Sequence, residues 1–170
     1  MEPPSPYSLF IRNETAVRVP AALLRRAAIA TACHHELPPG EINLLLCSND
    51  EIQSLNHRFR ALDEPTDVLT FPARKLPRTP RQKKNPLGDL AVSVEFAQKQ
   101  ASFRGATLSD ELAYLVIHGV LHLCGFDDEN QEDRRKMQIA MAEMGEFLGL
   151  ERDPEWFSAL HALVAAEDAK

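Results

Sequence analysis

The stretch from Asp110 to Leu123 contains no proline and is apolar at Leu112, Leu115, Val116, Leu121 and Leu123, a spacing that makes it a helix with a wide buried face. Any fold for this chain must be built around that helix. It also carries His118 and His122, and residues four apart share one helical face, so both imidazoles can reach one cation. Two ligands do not complete a catalytic zinc site, which takes three from the protein and leaves a position for water. Gly125 is suited to end the helix in a left-handed conformation and to fold the chain back toward the histidines. Asp128 then falls where a third ligand belongs, with Asp127 and Glu129 as neighbouring alternatives. The bare histidine pair also occurs in helices where it only caps or hydrogen-bonds. The longer pattern His-x-x-x-His-x-x-Gly-x-x-Asp has the spacing of the extended zinc-protease signature, with aspartate in place of the last histidine. A peptidase, however, has glutamate directly after the first histidine as its proton acceptor, and here that position is Gly119. The pattern therefore points to a metal-dependent hydrolase whose general base is not identified.

The rest of the chain alternates between strand and helix patterns. Strands are expected over Tyr7–Arg12, Glu41–Ser48, Asp67–Phe71 (stopped by Pro72) and Gly88–Val94. Helices are expected over Pro20–Cys33, from Asn49 or Asp50 to Phe59, over Glu95–Phe103, from Ser109 through the histidines, over Glu129–Leu148, and over Pro154–Ala166. Glu111 suits the first turn of the histidine helix. The expected fold class is α/β (α+β): a single compact domain over residues 1–170, with an approximately four-stranded mixed sheet covered by five or six helices. Internal repeats are absent.

A length of 170 residues allows one sizeable core but not two large domains. With 44% hydrophobic and 26% charged residues, the balance is that of a water-soluble globular chain. No apolar stretch is long enough to span a bilayer, and the first residues lack the basic and apolar regions of a signal peptide, so a cytoplasmic location is expected. Cys33, Cys47 and Cys124 show no paired spacing, which fits a reducing compartment. Cys124 lies between the ligands but reads as a small packed side chain.

Beyond the histidines, three further blocks stand out: Leu55-Asn56-His57-Arg58-Phe59-Arg60, Pro65-Thr66-Asp67-Val68-Leu69-Thr70-Phe71-Pro72, and Leu87-Gly88-Asp89-Leu90. Together with His-Gly-Val-Leu-His-Leu-Cys-Gly-Phe-Asp-Asp from 118 to 128, they resemble, in order and over roughly residues 40 to 150, the motifs of the YbeY endoribonucleases of ribosomal RNA maturation. The departure is Asp128, where that family usually has a third histidine. A carboxylate is a legitimate zinc ligand, and it lowers the net charge of the site.

The resemblance implies a zinc-dependent single-strand endoribonuclease with one ion per chain, held by His118, His122 and Asp128. It also implies that Arg60 works beside the metal, where a guanidinium can hold a phosphate oxygen in a bidentate fork. The alternative for Arg60 is an ion pair with Asp63 or Glu64 in the following turn. No organic cofactor and no DNA are expected. The implied partners are ribosomal RNA precursors, with small-subunit ribosomal proteins or an assembly GTPase beside them.

A formal net charge of −6 argues against a surface coated in positive potential. Yet Arg74, Lys75, Arg78, Arg81, Lys83 and Lys84 form an acid-free basic segment between two expected strands. It reads either as a solvated hairpin loop or as a contact for a phosphate backbone. Two rival functions use the same ligands. One is a metallopeptidase, opposed by Gly119; the other is a non-catalytic assembly factor in which the metal only pins the helix end.

Overall fold

A computed structural model describes residues 4–73 and 85–158. In chain order its elements are β1 (Tyr7–Asn13), α1 (Ala21–His34), β2 (Gly40–Cys47), α2 (Asn49–Arg60), β3 (Val68–Pro72), β4 (Pro86–Ser93), α3 (Val94–Arg104), α4 (Leu108–Leu123) and α5 (Gln131–Leu148). The sheet order is β1-β2-β4-β3. β2 runs parallel to β1 and to β4, and β3 pairs antiparallel with β4. The mixed four-stranded sheet is thus as expected, with β1 and β3 at its edges.

Side-chain alternation along the strands creates two unequal layers. Leu9, Ile42, Leu44, Leu46, Leu90 and Val92 point to one face and join residues of α1, α4 and α5 in the main core. The opposite face is smaller. There Cys47, Leu69 and Ala91 pack with Ile52 of α2, and Leu45, Leu55 and Phe71 are partly buried around them. The central helix α4 is buried from Glu111 to Leu121 without a break, the mark of a helix enclosed on all sides rather than laid on a surface.

Local chemistry sets the helix ends. Ser48 caps α2 by accepting from the Glu51 amide at 3.2 Å, one residue earlier than the cap expected at Asn49 or Asp50. The Asn49 carboxamide oxygen instead accepts from the Ser93 hydroxyl at 2.6 Å, tying α2 to the end of β4. Thr107 caps α4 and Asn130 caps α5 in the same manner.

The helix expected over Pro154–Ala166 does not begin where proposed. Pro154 and Glu155 form a turn, and the chain runs without regular structure to Ser158. Residues 159–166 of that expectation lie outside the described residues, as does the basic segment 74–84. Among the described residues, no helix is long and apolar enough to cross a membrane.

Candidate metal centre

The C-terminus of α4 builds the site. Gly125 has a φ of +99°, its amide donates to the His122 carbonyl at 3.1 Å, and the Phe126 amide donates to the Leu121 carbonyl at 3.0 Å. This pair of bonds is a Schellman motif, which satisfies the last carbonyls and reverses the chain. Asp127 then accepts from the amides of Asp128 at 2.7 Å and Glu129 at 3.3 Å. Its carboxylate is occupied in shaping the turn, while the Asp128 carboxylate swings toward the histidines. Of the three acids considered from sequence, Asp128 alone joins His118 and His122 in a cluster able to hold a metal ion.

The spacing fits a small tetrahedral ion. Nε2 of His118 and Nε2 of His122 are 3.1 Å apart, and Oδ2 of Asp128 lies 3.4 Å from the first and 3.6 Å from the second. Ligand bonds of about 2.0–2.1 Å in a tetrahedron separate neighbouring donors by about 3.3 Å. A second observation agrees. His122 Nδ1 lies 3.0 Å from the Phe126 carbonyl; a carbonyl only accepts, so Nδ1 carries the proton and the Nε2 lone pair faces the cluster.

The electrostatics favour the same protonation states. Burial pushes the His118 imidazole below its ordinary value, outweighing the opposing bond to Asp128. Burial works to raise the Asp128 carboxyl, but its polar contacts with His118 and His122 overcome it and hold the group well below the usual carboxylate range. A neutral imidazole and an ionised carboxylate are the forms that bind metal. Cys124 is no competitor: its thiol is half-buried against the main core, and burial pushes it up to about 11.

Gly119 has a structural explanation. A Cβ there would lie 2.8 Å from Leu90 Cδ2, so this side of α4 presses directly on β4 and has no room for a glutamate. The peptidase alternative thus lacks both its base and the space for one.

Arg60 and the cluster line one cleft of about 470 Å3, together with Thr66, Val68, Thr70, Asp127, Glu129 and Ser158. Arg60 Nη2 donates to the Thr70 carbonyl at 3.4 Å. Among the described residues it forms no ion pair with Asp63 or Glu64, and Asp63 accepts from Gln53 at 3.0 Å instead.

Several residues around the site went unnoticed in the sequence. Trp156 returns after α5 to pack its ring 5.4 Å from that of His118 and 5.9 Å from that of Tyr114. Its Nε1 donates to the Glu111 carboxylate at 3.2 Å, and Arg104 lies over its ring at 5.0 Å. Ser158 Oγ is 2.8 and 2.9 Å from the two oxygens of Asp67, a buried acid that Gln100 Nε2 also reaches at 3.3 Å. Only a charged residue inside the most apolar helix, Glu111, hinted at this network. Its pairing with a tryptophan 45 positions away carries no local signal.

Two histidines of α4 and a returning carboxylate, beside an arginine of α2, give this α/β protein a group able to hold a metal ion in a two-histidine-one-carboxylate arrangement. Comparison with known proteins narrows this further. The profile described as endoribonuclease YbeY matches residues 10–149. The Endoribonuclease YbeY of Chloroflexus aurantiacus is 34% identical over 153 residues, covering 86% of this chain and 99% of that protein. That of Sulfurovum sp. is 38% identical over 139 residues, 78% of this chain and 88% of its own. A Thermotoga maritima protein of known solution structure superposes with a TM-score of 0.53 at 28% identity, over 88% of this chain and 99% of that one. The chain belongs to the endoribonuclease YbeY family.

Proposed function

We propose that this protein is a zinc-dependent single-strand endoribonuclease of the cytoplasm, acting in ribosomal RNA maturation and ribosome quality control. The observation that carries the reading is the convergence of His118, His122 and Asp128 in a cleft shared with Arg60. These three side chains would hold one ion per chain. When bound, such an ion supplies Lewis acidity toward a phosphoryl oxygen and lowers the pKa of a coordinated water.

The chain's own residues do the rest. The Phe126 carbonyl holds the His122 ring in one tautomer. Asp128 brings a negative charge that makes the centre less cationic than three imidazoles would. Arg60, steadied by the Thr70 carbonyl, offers a planar fork to a phosphate oxygen and orients the diester against the cluster. The partners in this reading are precursor ribosomal RNA, ribosomal proteins of the small subunit and an assembly GTPase.

The test is metal content by mass spectrometry of protein purified without chelators, alongside cleavage of a single-stranded RNA. Near one zinc per chain is expected, lost in Asp128→Ala, with cleavage abolished in His118→Ala. Arg60→Lys should retain the metal and lose most turnover. A wild type with little metal and no cleavage would sink the enzymatic reading in favour of an assembly factor.

A further inference from the structure

Phe59, 56% exposed at the last turn of α2, is the exposed phenylalanine that lies directly beside Arg60. Its ring meets that of Phe71 edge to face, with centroids 5.2 Å apart. The half-buried Phe71 anchors the pair to the α2 side of edge strand β3, outside the metal cleft that its neighbours Thr70 and Pro72 line. Arg58 places its guanidinium 5.2 Å from the centre of the Phe59 ring. The helix is polarised to match: Asp50 and Glu51 occupy its first turn, and His57, Arg58 and Arg60 its last.

An aromatic ring with Arg58 over it, next in sequence to an arginine that lines a candidate phosphodiester site, suits one ligand chemistry. An unpaired nucleobase stacks on aromatic rings and on guanidinium planes, while its phosphates seek the same cations. We propose that Phe59, supported by Phe71 and Arg58, is a stacking subsite for an unpaired base of the RNA strand, close to the phosphate held by Arg60. The inference rests on the endoribonuclease reading above. It adds a physical reason for preferring single strands, since a paired base cannot turn its face onto the ring without unstacking from its neighbours.

The experiment is steady-state cleavage of a short single-stranded RNA by the metal-loaded protein, in wild-type, Phe59→Ala and Phe59→Trp forms. The same RNA is also prepared with one abasic residue moved through the positions flanking the cut. Stacking contributions to nucleic-acid binding correspond to a rise in KM of about five- to a hundredfold for Phe59→Ala, with kcat changed far less and Phe59→Trp restoring KM. At one position the abasic RNA should raise the wild-type KM to that of Phe59→Ala and leave the variant unaffected. An unchanged KM in Phe59→Ala, or an abasic penalty equal in both proteins at every position, overturns the subsite and leaves a protein-docking role for the aromatic pair. The parent reading is tested separately by His118→Ala. If wild type and His118→Ala are equally inactive, both proposals fall; if wild type alone cleaves, the Phe59 series decides the subsite by itself.

Discussion

Replacing Glu111 with glutamine should change how the stability of this protein depends on pH. Glu111 is 1% exposed, and burial pushes its carboxyl from 4.5 up to about 7, against the opposing pull of Arg104 and the Trp156 hydrogen bond. Because the folded-state value lies above the unfolded one, the native chain keeps a proton that the unfolded chain has released. Stability associated with this group is therefore complete below about pH 4.5 and is lost as pH rises through about 7. At about 1.4 kcal/mol for each pH unit, the loss across that window is about 3 kcal/mol. Glutamine keeps the carbonyl that accepts from Trp156 and has no proton to release. Urea unfolding of the metal-free protein, followed by fluorescence of its one tryptophan, would be measured for both forms from pH 4 to 8. The stability of Glu111→Gln minus that of wild type should climb by about 3 kcal/mol between pH 4.5 and 7.5. The Arg104 pairing, at 4.0 Å, acts only on the ionised carboxylate and is already contained in the shifted value, and the metal ligands are common to both proteins. A difference curve that is flat over this range would refute the account of Glu111 as an acid held by burial.

Three further perturbations probe the site and its supports. Asp128→Ala should weaken zinc binding by more than the roughly 10- to 100-fold typical of losing an outer hydrogen-bond partner, whereas Asp128→His should retain the ion; competition with a chromophoric chelator reads both. Gly119→Ala places a Cβ 2.8 Å from a buried Leu90 methyl. The strain of about 1–3 kcal/mol should outweigh a helix-propensity gain of up to about 1 kcal/mol, and a higher urea midpoint for the variant would contradict the close approach of α4 to β4. Trp156→Phe removes the donor to the Glu111 carboxylate, a bond to a charged group contributing about 1.5–3 kcal/mol. Thermal unfolding followed by circular dichroism should show the loss above pH 7, where Glu111 is ionised, and a smaller one at pH 4.

Much of the architecture was legible because it rests on short-range regularities. The apolar run within Glu41–Ser48 and the alternation of Leu90, Val92 and Val94 mark strands, while helix periodicity and Gly125 mark α4 and its exit. The histidine pair follows from helix geometry alone, since i and i+4 share a face wherever the helix lies. Spacing singled out Asp128, and what turns its carboxylate rather than its neighbour's toward the histidines is that Asp127 accepts the next two amides and so shapes the turn. Similarly, Asn49 was a reasonable cap until Ser93, from a strand 44 positions away, claimed its side chain.

Between Tyr7 and Leu148 the local chain thus determined by itself which segments are helix or strand, where α4 turns back, and which imidazoles share a face, because each depends on residues a few positions apart. Only the tertiary structure decided what surrounds them. Enclosure of α4 explains why residue 119 is glycine, why Glu111 holds its proton to about pH 7, and why Trp156 comes to rest against His118. Desolvation, close packing and long-range hydrogen bonds belong to the assembled environment of a side chain, and no window of sequence contains that environment.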